Sequence, residues 1–188
     1  MSKFNHEIRD PIHTFIKLNS HERKILDCPS FQRLRYVHQL ALTYLLYPAA
    51  THMRFEHSLG AMELAGTVFD ALTDPNNISD AVRALVPEVT RHTEMSYWRT
   101  TVRMAALCHD IGHLPFSHAA EHLLPEGWNH ELLTYEILTS PDLKAVFTDM
   151  IPPTSGEAVA KLAVGRAKLQ KKVSDKKIEF SNWDAILS

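Results

Sequence analysis

The stretch LCHDIGHLPFSHAAEH, residues 107–122, sets His109, Asp110, His113, His118 and His122 among apolar residues and around Pro115. Imidazole nitrogen beside carboxylate oxygen suits a borderline or hard divalent cation: iron, manganese, zinc, nickel or magnesium. A buried His-Asp pair is expensive unless both polar groups are satisfied. Adjacent residues on a helix do not face each other, but a cation between His109 and Asp110 can collect both. Two residues do not make a site, so other ligands must come from elsewhere.

His57 is the best third ligand, because it lies at a helix start with apolar residues behind it, and Arg54 lies three residues earlier. An arginine beside a metal can hold a phosphate while the metal activates water, and both offset the charge that develops. A histidine can then protonate the leaving oxygen near neutral pH. The competing reading is a helix with satisfied core histidines. Five site-type residues in one apolar stretch, joined by Arg54 and His57, favour the site.

The elements that must position these residues read as helices. The 188-residue chain has only six glycines, with long runs of Ala, Leu, Met, Glu and Lys. That length suits one domain with a sizeable core. At 45% hydrophobic, 22% charged and net charge −2, the composition is that of a soluble globular protein. It offers no broad electrostatic draw for nucleic acid or an acidic membrane. The twelve histidines are the compositional outlier. Cys28 and Cys108 show no CxxC spacing and read as reduced, buried thiols. The N-terminus lacks a signal-peptide pattern, and no apolar run approaches a membrane span, so a cytoplasmic protein is expected.

Along the chain, Asp10-Pro11 reads as a turn and IHTFIKL as a short strand or extended arm. Ser20 caps a helix through Ile25 and Leu26. Ser30 caps another over FQRLRYVHQLALTYLL, with Phe31, Leu34, Val37 and Leu40/Ala41 on one face. Leu59, Met62, Ala65, Phe69 and Leu72 repeat at helical spacing after His57. Residues 78–96 read as a short helix and connector, and YWRTTVRMAALCHDIGH as a helix buried at its C-terminal half. Pro115 stops it. Asn129 caps a helix over 129–139, with Glu131 and Glu136 outward. A last helix runs from Gly156 to about Lys172, its lysines at 168–177 on a solvated face. The expectation is an all-α fold with a short N-terminal strand or arm.

RFEHSLG at 54–60 and LCHDIGHLPFSH at 107–118 resemble the HD phosphohydrolase superfamily. With FQRLRYVHQL at 31–40 and YPAATHMRFEHSLG, they look most like its deoxynucleoside triphosphate triphosphohydrolase branch. The resemblance covers roughly residues 10–135 and rests on three linked motifs in order. It implies an HD-domain helical bundle and a divalent metal held by His57, His109 and Asp110. It implies a phosphate contact at Arg54, and catalytic histidines at His113, His118 and His130. Glu121 falls on the carboxylate partner of His118, making His118 the candidate proton donor. Gln39 and Leu40 fall on positions that contact base and sugar. The reaction implied is attack of metal-activated water on the phosphorus of a nucleotide such as a dNTP, giving deoxynucleoside and tripolyphosphate. A homo-oligomer is expected as well. His122, His6, His21 and His92 match nothing functional and read as surface residues, and His13 belongs to the N-terminal arm.

The family's fourth ligand sits in an Asp-Arg-x-Asp-Tyr-Leu type motif, which is absent here. Asp184, in FSNWDAILS, is the last aspartate, and its setting does not match. Residues 1–188 then read as a single HD domain, the N-terminal portion of a longer protein, which alone binds metal poorly or is inactive. Two other functions compete. HDIGH mimics the HExxH of zinc peptidases, with a shorter acid and a helix weakened by Gly112 and Pro115. A non-catalytic nucleotide sensor keeping the same fold is the other. The HHExxGYP signature of the cyclic-dinucleotide branch is absent.

Overall fold

Asp10-Pro11 is the turn of a hairpin. In the computed structural model, which describes residues 4–166, 168–169 and 178–187, strand β1 (Phe4–Asp10) pairs antiparallel with β2 (Thr14–Asn19), Ile8 opposite Ile16. Asp10 Oδ1 accepts from the backbone N–H of Ile12 at 2.9 Å and of His13 at 2.8 Å, closing the turn as aspartate commonly does. The expected single strand thus has a partner upstream. Ile16 and Leu18 alternate into the core.

Helix α1 (Ser20–Leu26) is capped by Asn19, not by Ser20. The Asn19 side chain accepts from His21 and Glu22 N–H, while Glu22 accepts from the Asn19 N–H at 2.8 Å, a reciprocal box that contributes about 1 kcal/mol. Buried Glu22 also receives Arg103 Nε at 2.7 Å, and Arg103 donates to Lys17 O at 3.0 Å and to Glu63 at 3.3 Å. One buried guanidinium therefore ties hairpin, α1 and the next long helix to the centre of the fold.

The helix expected over residues 31–46 does not form. Helix α2 (Pro29–Gln32) gives way to a 3-10 turn at Arg33–Tyr36 and another at Thr43–Leu45. The backbone is used across the chain instead: Val37 O accepts from Arg54 N–H at 2.9 Å, and Gln39 N–H donates to His52 O at 3.0 Å. Leu45 and Leu46 consequently lie exposed. Tertiary pairing overrides the local helical preference here.

Helix α3 (Arg54–Leu72) packs along α5 (His92–Cys108), after a short helix α4 (Asp80–Leu85). Leu59, Met62 and Phe69 are buried as the spacing predicts, whereas Leu72 is exposed. Met104, Ala105, Leu107 and Cys108 bury the C-terminal half of α5. Each fully buried side chain such as Leu107 stabilises by roughly 1.5–3 kcal/mol. Helix α6 (His130–Leu138) is capped by Asn129, whose side chain accepts from Leu132 N–H at 3.0 Å. Helix α7 (Pro141–Thr148) packs on α1, and α8 (Gly156–Val164) on α5 and α6.

The helix expected to run from Gly156 to about Lys172 is interrupted at Gly165, whose φ of +84° ends α8; residues 166 and 168–169 are helical again, and 170–172 lie outside the described residues. Lys168 pairs with Glu131 at 2.7 Å, so the Glu131 side chain is largely covered rather than outward, while Glu136 is exposed. Lysines at 171–177 lie outside the described residues. A last helix spans Asn182–Leu187. Among the described residues no helix is long and apolar enough to cross a membrane. The whole is all-α apart from the hairpin.

Candidate active site

Three elements meet at the C-terminal end of α5. That helix ends at Cys108, so His109 and Asp110 stand on the turn after it rather than within it. The turn is held from two sides. Gly112 packs directly on the start of α6: a Cβ there would lie 2.1 Å from His130 O and 2.5 Å from Thr134 N. Its N–H donates to Thr134 Oγ1 at 3.0 Å. From the other side the Arg33 guanidinium donates to the carbonyl oxygens of both Ile111 and His113.

The first cluster is His57, His109 and Asp110. His57 and His109 come from the first turn of α3 and the end of α5, and their Nε2 atoms approach to 3.3 Å. His109 Nδ1 lies 2.8 Å from Ala106 O, which can only accept, so the proton sits on Nδ1 and the Nε2 lone pair faces His57. That is the tautomer a metal ligand needs, fixed by the second ring nitrogen. Asp110 Oδ1 is 3.4 Å from His109 Nε2, and Oδ2 is 4.0 Å from His57 Nε2. Burial, then the neighbouring His109, pushes the His57 imidazole below its ordinary value, which keeps it neutral and able to ligate. Two imidazoles and a carboxylate converging in this form fit a divalent cation.

Asp110 has a second partner. Arg54 Nη1 donates to its Oδ2 at 2.6 Å, a pair almost wholly out of water. Burial alone would raise the Asp110 carboxyl, but His109, Arg54 and His113 outweigh it and hold it below the usual range. Arg54 also donates to Gln39 O at 3.3 Å and to Ser117 Oγ at 3.0 Å, and its buried Nε has no partner. Reaching Ser117 costs strain: Phe116 and Ser117 have φ of +68° and +55°. For non-glycine residues that conformation costs roughly 1–2 kcal/mol each.

The second cluster is His118, Glu121 and His130. His118 and Glu121 lie on the 3-10 turn Ser117–Leu123, where residues three apart eclipse. Glu121 Oε1 accepts from His118 Nδ1 at 3.1 Å and also from His130 Nδ1. Burial pushes the Glu121 carboxyl up, but the hydrogen bonds from His130 and His118 hold it below its ordinary value. As an ionised acceptor it fixes both rings as Nδ1–H tautomers, leaving both Nε2 atoms free. His118 is the exposed member, with 71% of its side chain open to solvent.

His113 joins the clusters. It is buried, lies 3.4 Å from Asp110 Oδ1 and stacks on His130 with centroids 4.0 Å apart. Burial, then the Arg54 and His130 charges, pushes it down to about 3, so it is neutral near pH 7.

Arg54, His57, His109, Asp110, His113, His118, Glu121 and His130 are thus brought together. Gln39 reaches the group through its carbonyl, its side-chain Oε1 being buried without a partner, and Leu40 is 46% exposed beside it. His122 and His92 are exposed, whereas His6 and His21 are half-buried. Asp184 is not part of the group: its carboxylate accepts from Ser181 N–H at 2.7 Å and Ser181 Oγ at 2.9 Å, at the start of the last helix. The peptidase arrangement loses its basis, because His109 and His113 do not share a helix.

Arg33, Gly112 and Ser117 were not singled out as positioning residues from sequence. For Arg33 the available signal is a charged residue amid FQRLRY, between buried Phe31 and Leu34. For Gly112 it is a glycine inside the histidine motif.

A family model described as HD domain matches residues 54–165. The chain is 38% identical over 136 residues to deoxynucleoside triphosphate triphosphohydrolase SAMHD1 of Danio rerio, covering 68% of this chain and 20% of that protein. It is 41% identical over 130 residues to the Homo sapiens protein of that name, covering 66% and 19%. The uncharacterized protein MJ1154 of Methanocaldococcus jannaschii is 43% identical over 125 residues, covering 66% and 22%. The chain therefore spans about one fifth of the length of these curated relatives. Among solved structures, a hypothetical protein from Aquifex aeolicus matches with TM-score 0.63 and 27% identity, covering 97% of this chain and 44% of that one.

Proposed function

We propose that this chain, which belongs to the HD domain family, carries the site of a metal-dependent phosphohydrolase acting on nucleotides, with deoxynucleoside triphosphates as its substrates. The observation that carries this reading is the pairing of two clusters of opposite character. His57, His109 and Asp110 bring ligand atoms within 4.8 Å of one another, and His118, Glu121 and His130 form a hydrogen-bonded trio suited to a proton relay beside them. The 38–41% identity to two proteins named for dNTP triphosphohydrolysis supports the choice of substrate.

His57 Nε2, His109 Nε2 and Asp110 would hold the cation, whether iron, manganese, magnesium, zinc or nickel. When bound, it supplies Lewis acidity at phosphorus and activation of water. The chain's own groups do the rest. Arg54 compensates the Asp110 charge, and its guanidinium is the group that would contact a phosphate oxygen. His118, protonated at both nitrogens, keeps Nδ1–H on Glu121 and delivers its Nε2 proton to the leaving oxygen. Glu121 stabilises that imidazolium and fixes its orientation. Neutral His113 fills the space between the clusters without adding a repelling charge. Gln39 and Leu40 lie on the Arg54 side, where base and sugar would rest.

A nucleotide-panel hydrolysis assay on the full chain with varied metals, followed by phosphorus NMR, tests this. Deoxynucleoside with intact tripolyphosphate is the expected product pair. Release of orthophosphate would place attack at the γ-phosphorus instead, and nucleotide binding without turnover would make the chain a sensor.

A further inference from the structure

We propose that His118, Glu121 and His130 form a second cation site, selective for a transition metal such as zinc, and that its occupancy shuts off the proton donor. The three side chains offer two imidazole nitrogens and a carboxylate oxygen, all mutually within 4.8 Å. Both Nδ1 atoms converge on a single oxygen, Glu121 Oε1, His118 from 3.1 Å and His130 closer still. Ligand atoms of a tetrahedral zinc site stand roughly 3.3 Å apart, given bonds of about 2.0–2.2 Å. Small side-chain adjustments therefore turn the hydrogen-bonded trio into a three-ligand set.

The supports of the trio are rigid where a ligand needs them. Glu121 and His118 are set in register by the 3-10 turn, and His130 is fixed as the first residue of a helix capped by Asn129. His118 is mostly exposed, so the site has an entry path and an open position for water. Nitrogen-rich donors of this kind suit zinc, nickel or copper better than magnesium.

Protons balance: the neutral rings release none, and a doubly protonated His118 gives one proton up to solvent. In the free site each ring carries its proton on Nδ1, hydrogen-bonded to Glu121. On binding, each proton moves to Nε2 of its own ring, the Nδ1 lone pairs and the Glu121 carboxylate take the cation, and no bond to carbon changes. With Nδ1 occupied, His118 cannot become an imidazolium, so it loses its acid form. Zinc at this site is thus inhibitory, a consequence that rests on the proton-donor role proposed above; the binding itself does not.

Zinc titration by calorimetry and metal analysis tests the site on the full chain. The variant His57→Ala/His109→Ala removes the first cluster but keeps the Arg54–Asp110 pair. We expect it to retain one zinc, and further substitution Glu121→Gln/His130→Ala to weaken that binding at least tenfold. Long-range proton–nitrogen spectra of the unmodified chain give a readout free of folding effects: zinc must move the Nδ1 resonances of His118 and His130. Unmoved resonances at saturating zinc, or a folded His57→Ala/His109→Ala chain that holds none, overturn the site. Zinc bound there with hydrolysis undiminished overturns the inhibitory role. Zinc retained by a chain that hydrolyses no nucleotide supports the site and counts against the hydrolase reading alone.

Discussion

The guanidinium of Arg33 donates to the backbone carbonyl of His113, 80 positions along the chain, and it grips Ile111 as well. Two carbonyls that flank Gly112 are thus satisfied by one side chain reaching in from before α3. The turn that presents His109 and Asp110 owes its shape to a residue that touches neither.

Arg33→Met leaves those carbonyls unpaired beside buried Ile111 and His113. An unsatisfied buried acceptor costs about 1–3 kcal/mol, so a loss of about 2 kcal/mol lowers Tm by about 4–8 °C for a chain of this size. Metal affinity should fall too, though Arg33 is no ligand. Calorimetry on the variant checks both, and unchanged metal affinity would show that the turn holds its shape without the clasp.

Gly112→Ala places a methyl 2.1 Å from His130 O, where backbone must move rather than a flexible side chain. Overpacking of this kind costs roughly 1–3 kcal/mol. The shift separates His130 from Glu121, so hydrolysis should drop more steeply than stability. Parallel thermal melts and rate measurements decide it; equal, small effects would mean that α6 slides away freely.

Asp110→Asn removes a proposed metal ligand and strands Arg54, which is 4% exposed. Breaking a buried pair from one side costs about 3–5 kcal/mol. Arg54→Met/Asp110→Asn should recover part of that loss while remaining unable to hold metal. Denaturant titrations of the singles and the double close the cycle, and strictly additive losses would show that the two residues do not stabilise each other.

The grouping was legible because the chemistry read from the sequence demands particular residue types in order, and the fold brings Arg54, His57, His109 and Asp110 together, with His118 and Asn129-capped His130 beside them. The segment 31–46 was not legible. Its apolar spacing is helical, yet Val37 and Gln39 pair across to Arg54 and His52, contacts that only the folded chain supplies. Asn19 rather than Ser20 caps α1 because Glu22, three residues on, returns the hydrogen bond. Arg33 and Ser117 were invisible for a similar reason: each acts through a backbone atom or a partner far off in sequence.

Burial pushes the Cys108 thiol well up, and burial raises Cys28 as well. Both thiols are therefore neutral in the folded chain at pH values where the unfolded chain begins to ionise them. Stability from these groups is fully present below the unfolded value of about 8.5 and is lost as pH climbs beyond it. Thiolate absorbance and reaction with an aromatic disulfide follow this directly. Native protein at pH 8 should react far more slowly than denatured protein, and fast reaction of both thiols in the folded state would contradict the shifts.

The two clusters ask different things of a folding chain. His118 and His130 are 12 positions apart and meet by closing a short local loop, whereas His57 and His109 are 52 apart. Roughly two doublings of loop length separate them, an entropic difference of about 1.2 kcal/mol. The His118–His130 pair can assemble early, within one contiguous stretch, but the His57–His109 pair forms only once α3 has docked along α5. Any partial opening of that helix pair separates His57 from His109 first and leaves His118 and His130 together.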